Sequence, residues 1–306
     1  WSCARSAPVV SRHASVTIST SDPASPRVLV AGGRGFVGAH VVRALVGAGR
    51  RPVLFGPAMA QDRLADVTGR YDEIEGSVED RAGLELAFAA TRPEAVVSCV
   101  AHGAGTLGLM RSGEAQGDAA LAVNVLGHEK LLYAARGAGV GRVVWTSSTV
   151  VYGPASLYGE GRVDEDAPLA PTTLYGLTKQ LAEAVGAYHA RRHGLDVVGL
   201  RLPLILGPGL WYQGAASALA ELFVAARSGA SARVAFHDAP VDLMHAADVG
   251  RAVLAALDHP GPLDPVYNLK GFEARVSDLV AEISRQRPGA RLAVDPAPPA
   301  LLFPLI

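Results

Sequence analysis

Three residues in the middle of the chain could carry acid/base chemistry on a hydroxyl or carbonyl group. Tyr175 and Lys179 stand four residues apart in the segment PTTLYGLTK, and Ser148 lies in the earlier segment TSSTVVYG. Positions i and i+4 of a helix share one face. A free phenol has a pKa near ~10, and a nearby ammonium lowers that pKa by favouring the phenolate. The spacing predicts Tyr175 as an acid/base, with Ser148 bonding a substrate oxygen.

A second candidate site is the glycine-rich stretch AGGRGFVG, which follows the apolar run Val28-Leu29-Val30. The spacing Gly32-x-x-Gly35-x-x-Gly38, between a predicted strand and a predicted helix, suits a dinucleotide pyrophosphate bound at helix N-terminal amides. We expect Gly32 to make the tight turn and Gly35 to let the backbone approach the phosphates. Gly38 is expected to let the helix pack on the strand.

The elements that must position these residues alternate between short β-branched runs and helical stretches. Strands are predicted at 28–31, 53–55, 74–76, 95–100, 142–147 and 197–200. Helices are predicted at 36–46, 81–91, 121–136, 173–193, 218–227 and 277–285. This order predicts βαβ units with right-handed crossovers and a parallel sheet. The predicted fold class is α/β, a Rossmann-like doubly wound parallel sheet with a smaller C-terminal substrate-binding lobe.

The predicted boundaries are a dinucleotide-binding domain at 27–202 and a lobe at 203–306 that partly returns to the first domain. Ligands of such sheets bind at the carboxyl ends of the strands. Residues 1–26 are expected to form a flexible tail, rich in Ser, Ala and Pro and without an acid before Asp22. That composition resembles a transit peptide, and an upstream-extended reading frame or added residues explain it equally well. The absence of an initiator Met indicates a start that is not native.

The composition narrows the class of protein. The 306 residues are 49% hydrophobic and 19% charged with a net charge of −1, and no run of like charges suggests a nucleic-acid partner. The longest uncharged stretch contains Gly207-Pro208-Gly209, which argues against a membrane span. Two cysteines cannot build a disulfide framework, so a reducing, cytoplasmic setting is expected, with organelle targeting left possible by the tail. No His/Cys/Asp/Glu cluster has metal-ligand spacing.

From Arg27 to about Leu269 the chain resembles the extended short-chain dehydrogenase/reductases of the NAD-dependent epimerase/dehydratase family. The resemblance rests on the glycine stretch, the strand ending in Thr-Ser-Ser, Tyr152-Gly153, the Tyr-x-x-x-Lys pair and four further segments: VVSCVA (96–101), NVLG (124–127), RLPLILGPG (201–209) and DLMHAADV (242–249). It implies that Tyr175 is the acid/base, that Lys179 holds the nicotinamide ribose and that Ser148 orients the reacting group.

The resemblance also implies a set of cofactor-binding residues: Gly32, Arg34, Gly35, Phe36, Val37, Gly38, Ser77, Val78, Val100, Ala101, Asn124, Tyr175, Lys179 and Pro203. NAD-selective members end the second strand with an acid for the ribose 2′-hydroxyl. Here that strand reads PVLFGP without an acid, and Ser77 replaces the adenine-side Asp. Arg34 could reach a 2′-phosphate as a planar cation. NADP is therefore slightly favoured over NAD.

Departures from the family pattern bear on the substrate. Val241 and Leu204 stand where nucleotide-sugar members carry an Arg and an Asn, and burying a diphosphate without partners is costly. Thr149-Val150 replaces the Asp-Glu of the dehydratases, so a sugar-nucleotide dehydratase is not expected. Candidate substrate contacts are His102, Thr149, Leu204 and Trp211, while structural packing explains His102 and Trp211 equally well and explains His245 better.

Three functions compete. The first is an epimerase/dehydratase-type enzyme acting on a sugar or sugar-like polyol. The second is a reductase or dehydrogenase of a smaller, more apolar ketone or alcohol, with a dissociable cofactor. The third is a non-catalytic dinucleotide sensor, against which the intact Ser148, Tyr175 and Lys179 set argues. The first is favoured.

The resemblance further implies a homodimer built from the helix after Asp118 and the Tyr175 helix. On the Tyr175 helix the sequence predicts a buried apolar stripe made of Leu174, Leu177, Leu181, Val185 and Tyr188. The predicted outer face carries small residues that suit a closely packed partner helix: Ala182, Gly186 and Ala190.

Overall fold

The computed structural model describes residues 16–17, 27–159, 161–299 and 301–306. Its strands are β1 (Val16–Thr17), β2 (Val28–Ala31), β3 (Val53–Gly56), β4 (Asp72–Glu75), β5 (Ala95–Ser98), β6 (Arg142–Ser148), β7 (Asp196–Leu202), β8 (Leu204–Leu206), β9 (Ser231–Phe236), β10 (Val241–His245), β11 (Val266–Asn268), β12 (Phe272–Ala274) and β13 (Arg291–Pro296). Its α-helices are α1 (Phe36–Gly47), α2 (Arg81–Thr91), α3 (Leu109–Ala115), α4 (Gly117–Leu121), α5 (Gly127–Gly137), α6 (Leu174–His193), α7 (Ala215–Ser228), α8 (Ala246–Asp258) and α9 (Val276–Gln286).

The large sheet has the strand order β1-β4-β3-β2-β5-β6-β7-β11. Every neighbouring pair is parallel except β1 and β4. From β2 the chain runs outward through β3 and β4, and it then returns to add β5 on the other side of β2. The order therefore reverses between β2 and β5, where doubly wound sheets bind ligands. The predicted doubly wound α/β fold is confirmed.

The predicted flexible tail at 1–26 falls outside the described residues except at its middle. There Val16–Thr17 pairs antiparallel with β4, Val16 opposite Ile74 and Thr17 opposite Glu73. This part of the tail is therefore a short edge strand rather than a free segment.

Alternate residues of the central strands feed two cores, one on each face of the sheet. Val28 and Val30 of β2 pack with α1 and α8 on one face. Leu29 and Ala31 pack with α2, α5 and α6 on the other. Burial on both faces accounts for the continuous apolar runs of these strands.

The C-terminal lobe is built from two small sheets, ordered β12-β10-β8 and β13-β9, with α7 and α9 packed on them. Between α8 and β12 the chain returns to the large sheet, where β11 pairs with β7. In the part of the chain that the structure describes, no helix combines the length and apolar character needed to span a bilayer.

The predicted helix over 121–136 is present but not regular. Residues 117–137 are helical throughout, as α4, a wide π-helical turn at Ala122–Leu126, and α5. In the wide turn the Gly127 amide donates to the Ala122 carbonyl, five residues back. Most other predicted elements agree with the structure within three residues at each end.

The prediction of which face of α6 is buried is wrong. Ala182 and Gly186 are buried against the sheet, while Leu177, Leu181 and Tyr188 are exposed by 39%, 38% and 53%. A Cβ on Gly186 would lie 3.2 Å from Val197 Cγ1 and 3.9 Å from Trp145 Nε1. The bulky Trp145 occupies the interior, so only small residues let the helix approach the strands.

Candidate active site

The glycine turn between β2 and α1 leaves no room for side chains. Gly32 has φ +75°, its amide donates to the Phe55 carbonyl at 2.9 Å, and the Gly35 amide donates to the Gly32 carbonyl at 3.0 Å. A Cβ on Gly38 would lie 2.1 Å from the Gly32 oxygen, inside contact distance. Gly38 thus packs on the turn itself, whereas packing on the strand was predicted. Because Gly32, Gly35 and Gly38 carry no side chains, a ligand beside the turn can come close to the amides at the start of α1.

A cavity with about 200 Å³ of water-accessible space adjoins this turn. It is lined by residues 32–35, 54–59 and 73–75. A backbone cradle that a Cβ would fill, next to a cavity and a helix N-terminus, fits the pyrophosphate and adenosine half of a dinucleotide. The side chains of Phe36 and Val37 pack into the core instead, so these two residues can offer only backbone groups.

Arg34 lines the cavity and forms an ion pair with Glu73. The hydrogen bond to that carboxylate raises the pKa of Arg34. Glu75 lies on the same wall. Neither glutamate was predicted from the sequence, because an acid was expected only at the end of the second strand. The alternation Asp-Glu-Ile-Glu in β4, with buried Ile74, is the pattern that places Glu73 and Glu75 on one face.

Asn124 connects the loop after β5 to the helix of Tyr175. Its Oδ1 accepts from the His102 amide at 2.7 Å, and its Nδ2 donates to Thr178 Oγ1 at 3.0 Å. Val100 and Asn124 line a small cavity that also touches Lys179. Ser77 Oγ accepts from the Glu79 amide at 3.1 Å, and Pro203 is buried between β7 and β8.

The structure brings Ser148, Tyr175 and Lys179 together at the carboxyl end of β6. Ser148 is the last residue of β6, its hydroxyl donates to the Leu202 carbonyl at 3.5 Å, and it lies close enough to Tyr175 to lower the pKa of that phenol. Lys179 Nζ lies 5.7 Å from the centre of the Tyr175 ring and donates to the Thr146 carbonyl at 2.7 Å. The Thr173 hydroxyl caps α6 by accepting from the Gly176 amide at 3.1 Å.

The predicted lowering of the Tyr175 pKa is wrong for this structure. Burial raises the pKa of Tyr175, neighbouring Tyr212 raises it further, and the nearby Ser148 hydroxyl offsets part of the rise. Burial also lowers the pKa of Lys179 to about 8. Desolvation is the largest cause of both shifts, because each group is removed from water on the inner face of α6.

A buried ion pair, which was not predicted from the sequence, holds α6 against the sheet. Arg201 on β7 donates through Nε and Nη2 to the Glu183 carboxylate, both at 2.9 Å. The Ser147 hydroxyl donates to the same carboxylate at 2.6 Å, and Arg201 Nη1 donates to the Tyr152 hydroxyl at 2.6 Å. This network fixes the helix one turn beyond Lys179 to the strand that ends in Ser148.

The predicted substrate contacts are dispersed. The His102 ring bonds Gln116 Oε1 at 3.0 Å, and the Thr149 hydroxyl donates to the Leu202 carbonyl at 3.3 Å. Trp211 packs beneath the Arg63 guanidinium, 3.8 Å from ring centre to Cζ. Tyr212, which follows Trp211 in the chain, raises the pKa of Tyr175. Burial raises the pKa of Tyr212 itself to about 12. His245 Nδ1 accepts from the Ala247 amide, a structural cap of α8.

Two loops beside Tyr175 are joined by backbone hydrogen bonds. The Gly108 amide donates to the Gln213 carbonyl at 2.9 Å, and the Gln213 amide donates to the Thr106 carbonyl at 2.7 Å. A Cβ on Gly108 would lie 2.7 Å from that Gln213 oxygen. The loop after β5 is thereby tied to the loop of the C-terminal lobe that carries Trp211 and Tyr212.

Two positions of the lobe, Val241 and Leu204, are apolar residues in apolar surroundings. Val241 and Leu204 pack against the lobe core, and their strands β10 and β8 are parallel neighbours. Two nearby arginines that could replace a missing phosphate contact, Arg233 and Arg251, are mostly exposed and pair with Asp295 and Asp248.

Comparisons with known proteins agree with this architecture. The sequence model of the NAD dependent epimerase/dehydratase family matches residues 28–269. A UDP-glucose 4-epimerase of Azospirillum brasilense is 34% identical over 179 residues, 58% of this chain and 49% of that protein. A 3 beta-hydroxysteroid dehydrogenase/Delta 5-->4-isomerase of Mycobacterium tuberculosis is 31% identical over 209 residues, 66% of this chain and 52% of that protein. The matched regions thus span about half the length of these curated relatives.

A solved structure shares the fold over nearly its whole length. The UDP-glucose 4-epimerase of Thermus thermophilus, in complex with NAD, superposes with a TM-score of 0.75 at 25% identity. The match covers 91% of this chain and 90% of that one. An L-threonine dehydrogenase from Cupriavidus necator superposes with a TM-score of 0.76 at 23% identity, over 89% and 86% of the two chains. The fold therefore serves proteins named for different substrates.

Proposed function

Because the chain belongs to the NAD-dependent epimerase/dehydratase family, we propose that it is an NAD(P)-dependent oxidoreductase acting on a hydroxyl or carbonyl carbon of a sugar or sugar-like substrate. The observation that carries this proposal is the convergence of Ser148, Tyr175 and Lys179 at the carboxyl end of β6. That edge of the sheet also holds the glycine turn and its cavity. A dinucleotide sensor has no use for such a set.

Each of the three residues has a distinct role in the proposed reaction. A bound nicotinamide would supply the hydride acceptor or donor. Tyr175 gives or takes the proton at the substrate oxygen through its hydroxyl, and Ser148 donates a hydrogen bond that holds that oxygen. Lys179, whose pKa of about 8 leaves it mostly charged at neutral pH, stabilises negative charge on the phenol and holds the nicotinamide ribose.

The proposed substrate carries no nucleoside diphosphate. Val241 and Leu204 offer apolar surface where a diphosphate would need charged or polar partners. Arg233 and Arg251 are already paired with acids. A free sugar or a sugar acid has hydroxyl groups that Ser148 and Thr149 can bond without such partners.

A second candidate function is the reduction or oxidation of a smaller, more apolar ketone or alcohol. Two observations favour it: the aromatic pair Trp211 and Tyr212 beside Tyr175, and the identity shared with the mycobacterial 3 beta-hydroxysteroid dehydrogenase. An apolar lobe that excludes a diphosphate is compatible with this substrate class too.

A substrate panel with a matched pair of variants tests the proposal. Purified protein with NAD or NADP is offered UDP-glucose, dTDP-glucose, free hexoses, sugar acids and cyclic ketones and alcohols. Tyr175→Phe should reduce turnover of the accepted substrate by about a hundredfold to ten-thousandfold, with the dissociation constant for the dinucleotide unchanged. Tyr188→Phe, on the exposed side of the same helix, is the control and should retain activity. Near-full activity in Tyr175→Phe rejects the assignment.

We also propose that two copies associate through the exposed apolar face of α6. Leu177, Leu181 and Tyr188 form this face, and Leu126 on the neighbouring wide turn is 56% exposed. A second copy covers such a face with the same residues, as a two-fold interface requires. Light scattering at micromolar concentration should give a dimer, and Leu181→Asp should give a monomer. Leu86→Asp, at an exposed leucine of α2, should leave the dimer intact; a monomeric parent protein contradicts the proposal.

A further inference from the structure

We propose that Glu73 and Glu75 make the dinucleotide site selective for NAD over NADP, Glu73 by holding Arg34 and Glu75 by facing the 2′-position of the adenosine ribose. This inference rests on the proposed function, since it requires that the cavity beside the glycine turn bind a dinucleotide. It concerns the one cation of the cavity wall, Arg34, among the residues that line the cavity in the described part of the chain.

Arg34 is not available to a 2′-phosphate as it stands. It lies in the glycine turn, and its Nη2 donates to Glu73 Oε1 across the cavity wall. Asp62 and Tyr71 also act on its charge. The pair is only partly exposed, 27% for the arginine side chain and 39% for the glutamate. A phosphate could gain the arginine only by displacing a carboxylate that already bonds it.

The register of the sheet explains why β4 supplies the acids. Strands β3 and β4 are parallel, with Leu54 opposite Glu73 and Gly56 opposite Glu75. Because side chains alternate along a strand, Glu73 and Glu75 share the face on which Gly56 has no side chain. The end of β3 has no carboxylate, and Glu75 at the paired position of the neighbouring strand β4 therefore supplies one.

The charges of this wall decide between the two cofactors. A ribose 2′-hydroxyl can donate a hydrogen bond to Glu75. A 2′-phosphate, which as a monoester carries about −1.5 to −2 charges at neutral pH, would face Glu73 and Glu75 with one arginine that is already neutralised. Like charges so close oppose binding. The structure therefore favours NAD, whereas Arg34 considered alone favours NADP.

Dissociation constants for NAD⁺ and NADP⁺, measured by titration calorimetry, test the inference without any substrate. The parent protein should bind NAD⁺ at least tenfold more tightly than NADP⁺. Glu73→Gln should free Arg34 and strengthen NADP⁺ binding by about tenfold to a hundredfold, the size of one hydrogen bond to a charged group. The double variant Arg34→Ala/Glu73→Gln should lose that gain.

A matched control removes one carboxylate elsewhere. Glu85→Gln breaks the ion pair of Glu85 with Arg81 on α2, away from the cavity, and should change neither dissociation constant. Equal affinity of the parent protein for both cofactors, or an equal gain in NADP⁺ binding in Glu73→Gln with and without Arg34, overturns the inference. A parent protein that binds neither dinucleotide overturns the proposed function itself, so the two failures are distinguishable.

Discussion

The glycine turn and the C-terminal lobe are held by different kinds of contact. At the turn, residue type is dictated by backbone: a Cβ on Gly38 would meet a carbonyl oxygen at 2.1 Å, and a Cβ on Gly32 would meet the Cys99 carbonyl carbon at 3.0 Å. In the lobe, Val241 and Leu204 are ordinary apolar residues on two neighbouring strands. Other apolar residues of similar volume could occupy those positions with little change to the backbone.

Under the proposed function, this difference separates the part of the molecule that would bind a common cofactor from the part that would select a substrate. The cofactor half has little freedom to vary, because its contacts are made by main-chain atoms at fixed distances. The lobe keeps its fold through a core that tolerates exchange of side chains of similar volume. The identity of the substrate is thus recorded in a few side chains, and the fold itself is shared by proteins that act on different molecules.

The largest expected effect tests the rigidity of the turn. Gly38→Ala should abolish measurable dinucleotide binding and lower the free energy of unfolding by about 3 kcal/mol or more, since the new methyl group overlaps the Gly32 carbonyl. Gly47→Ala is the same substitution in the same helix, where a Cβ meets nothing within 4 Å. It should stabilise the protein by up to about 1 kcal/mol. Equal behaviour of the two variants in calorimetry and denaturant titration would remove the contrast.

Lys179 should give activity and stability opposite dependences on pH. Its folded pKa is about 8 against an ordinary 10.5, so above pH 8 the folded protein loses a proton that the unfolded chain keeps. Between about pH 8 and 9 the free energy of unfolding should rise by up to about 1.4 kcal/mol per pH unit. Over the same range kcat/KM should fall about tenfold per pH unit, because the charged form is lost. Above pH 9 the buried Cys99 opposes the rise in stability, because burial raises the pKa of its thiol to about 12.

Two variants isolate this residue. Lys179→Met should lack the rise in stability, measured as the difference from the parent protein at each pH. Lys179→Arg keeps its charge and should move the loss of kcat/KM to higher pH. A parent protein whose activity and stability change in the same direction between pH 8 and 9 would show that Lys179 is not the titrating group.

A smaller effect is expected in the lobe, where the comparison predicts that side chains can be exchanged without loss of the fold. UDP, GDP and dTDP should show no low-micromolar binding to the parent protein in the presence of saturating cofactor. Val241→Arg adds a charge-assisted contact of the kind that holds phosphates and should raise affinity for at least one of them by about tenfold to a hundredfold. Low-micromolar binding by the parent protein would return it to the nucleotide-sugar enzymes.

The smallest effect concerns the lobe surface. Arg233→Ala removes an exposed ion pair with Asp295, and such pairs contribute about 0–1 kcal/mol. Unfolding free energy should therefore fall by less than about 1 kcal/mol, with nucleoside diphosphate binding unchanged. A marked loss of diphosphate binding would identify Arg233 as the phosphate ligand that the lobe otherwise lacks.

The sequence predicts those features that depend on local spacing. The glycine turn, the six strands β2 to β7 of the large sheet, and the shared face of Tyr175 and Lys179 are set by residues within a few positions of each other. The two edge strands, β1 and β11, were not predicted. The strand that ends in Ser148 is likewise evident from its β-branched run. These elements are short-range, so alternation of residue types suffices to locate them.

Features that depend on contacts between distant segments were missed. The ion pair of Arg34 with Glu73 requires the register of two strands, and the Arg201–Glu183 pair requires the packing of α6 on β6 and β7. The prediction assigned the buried and exposed faces of α6 the wrong way round, because large apolar residues normally face a core. Here Trp145 already fills that space, so Ala182 and Gly186 face inward. The burial that governs the pKa of Tyr175 is likewise a tertiary property.

The wide turn at Ala122–Leu126 changes the phase of the helix that contains it. An α-helix advances about 100° per residue, so one additional residue in a turn rotates everything before it relative to everything after it. The part before the turn packs on α3 and α6, and α5 after it packs on α6 and α2. Asn124, within the turn, reaches both the His102 amide and Thr178. Shortening this segment by one residue would restore the regular phase and turn Asn124 away from both partners, so the active site is sensitive here to the length of the chain as well as to the identity of its residues.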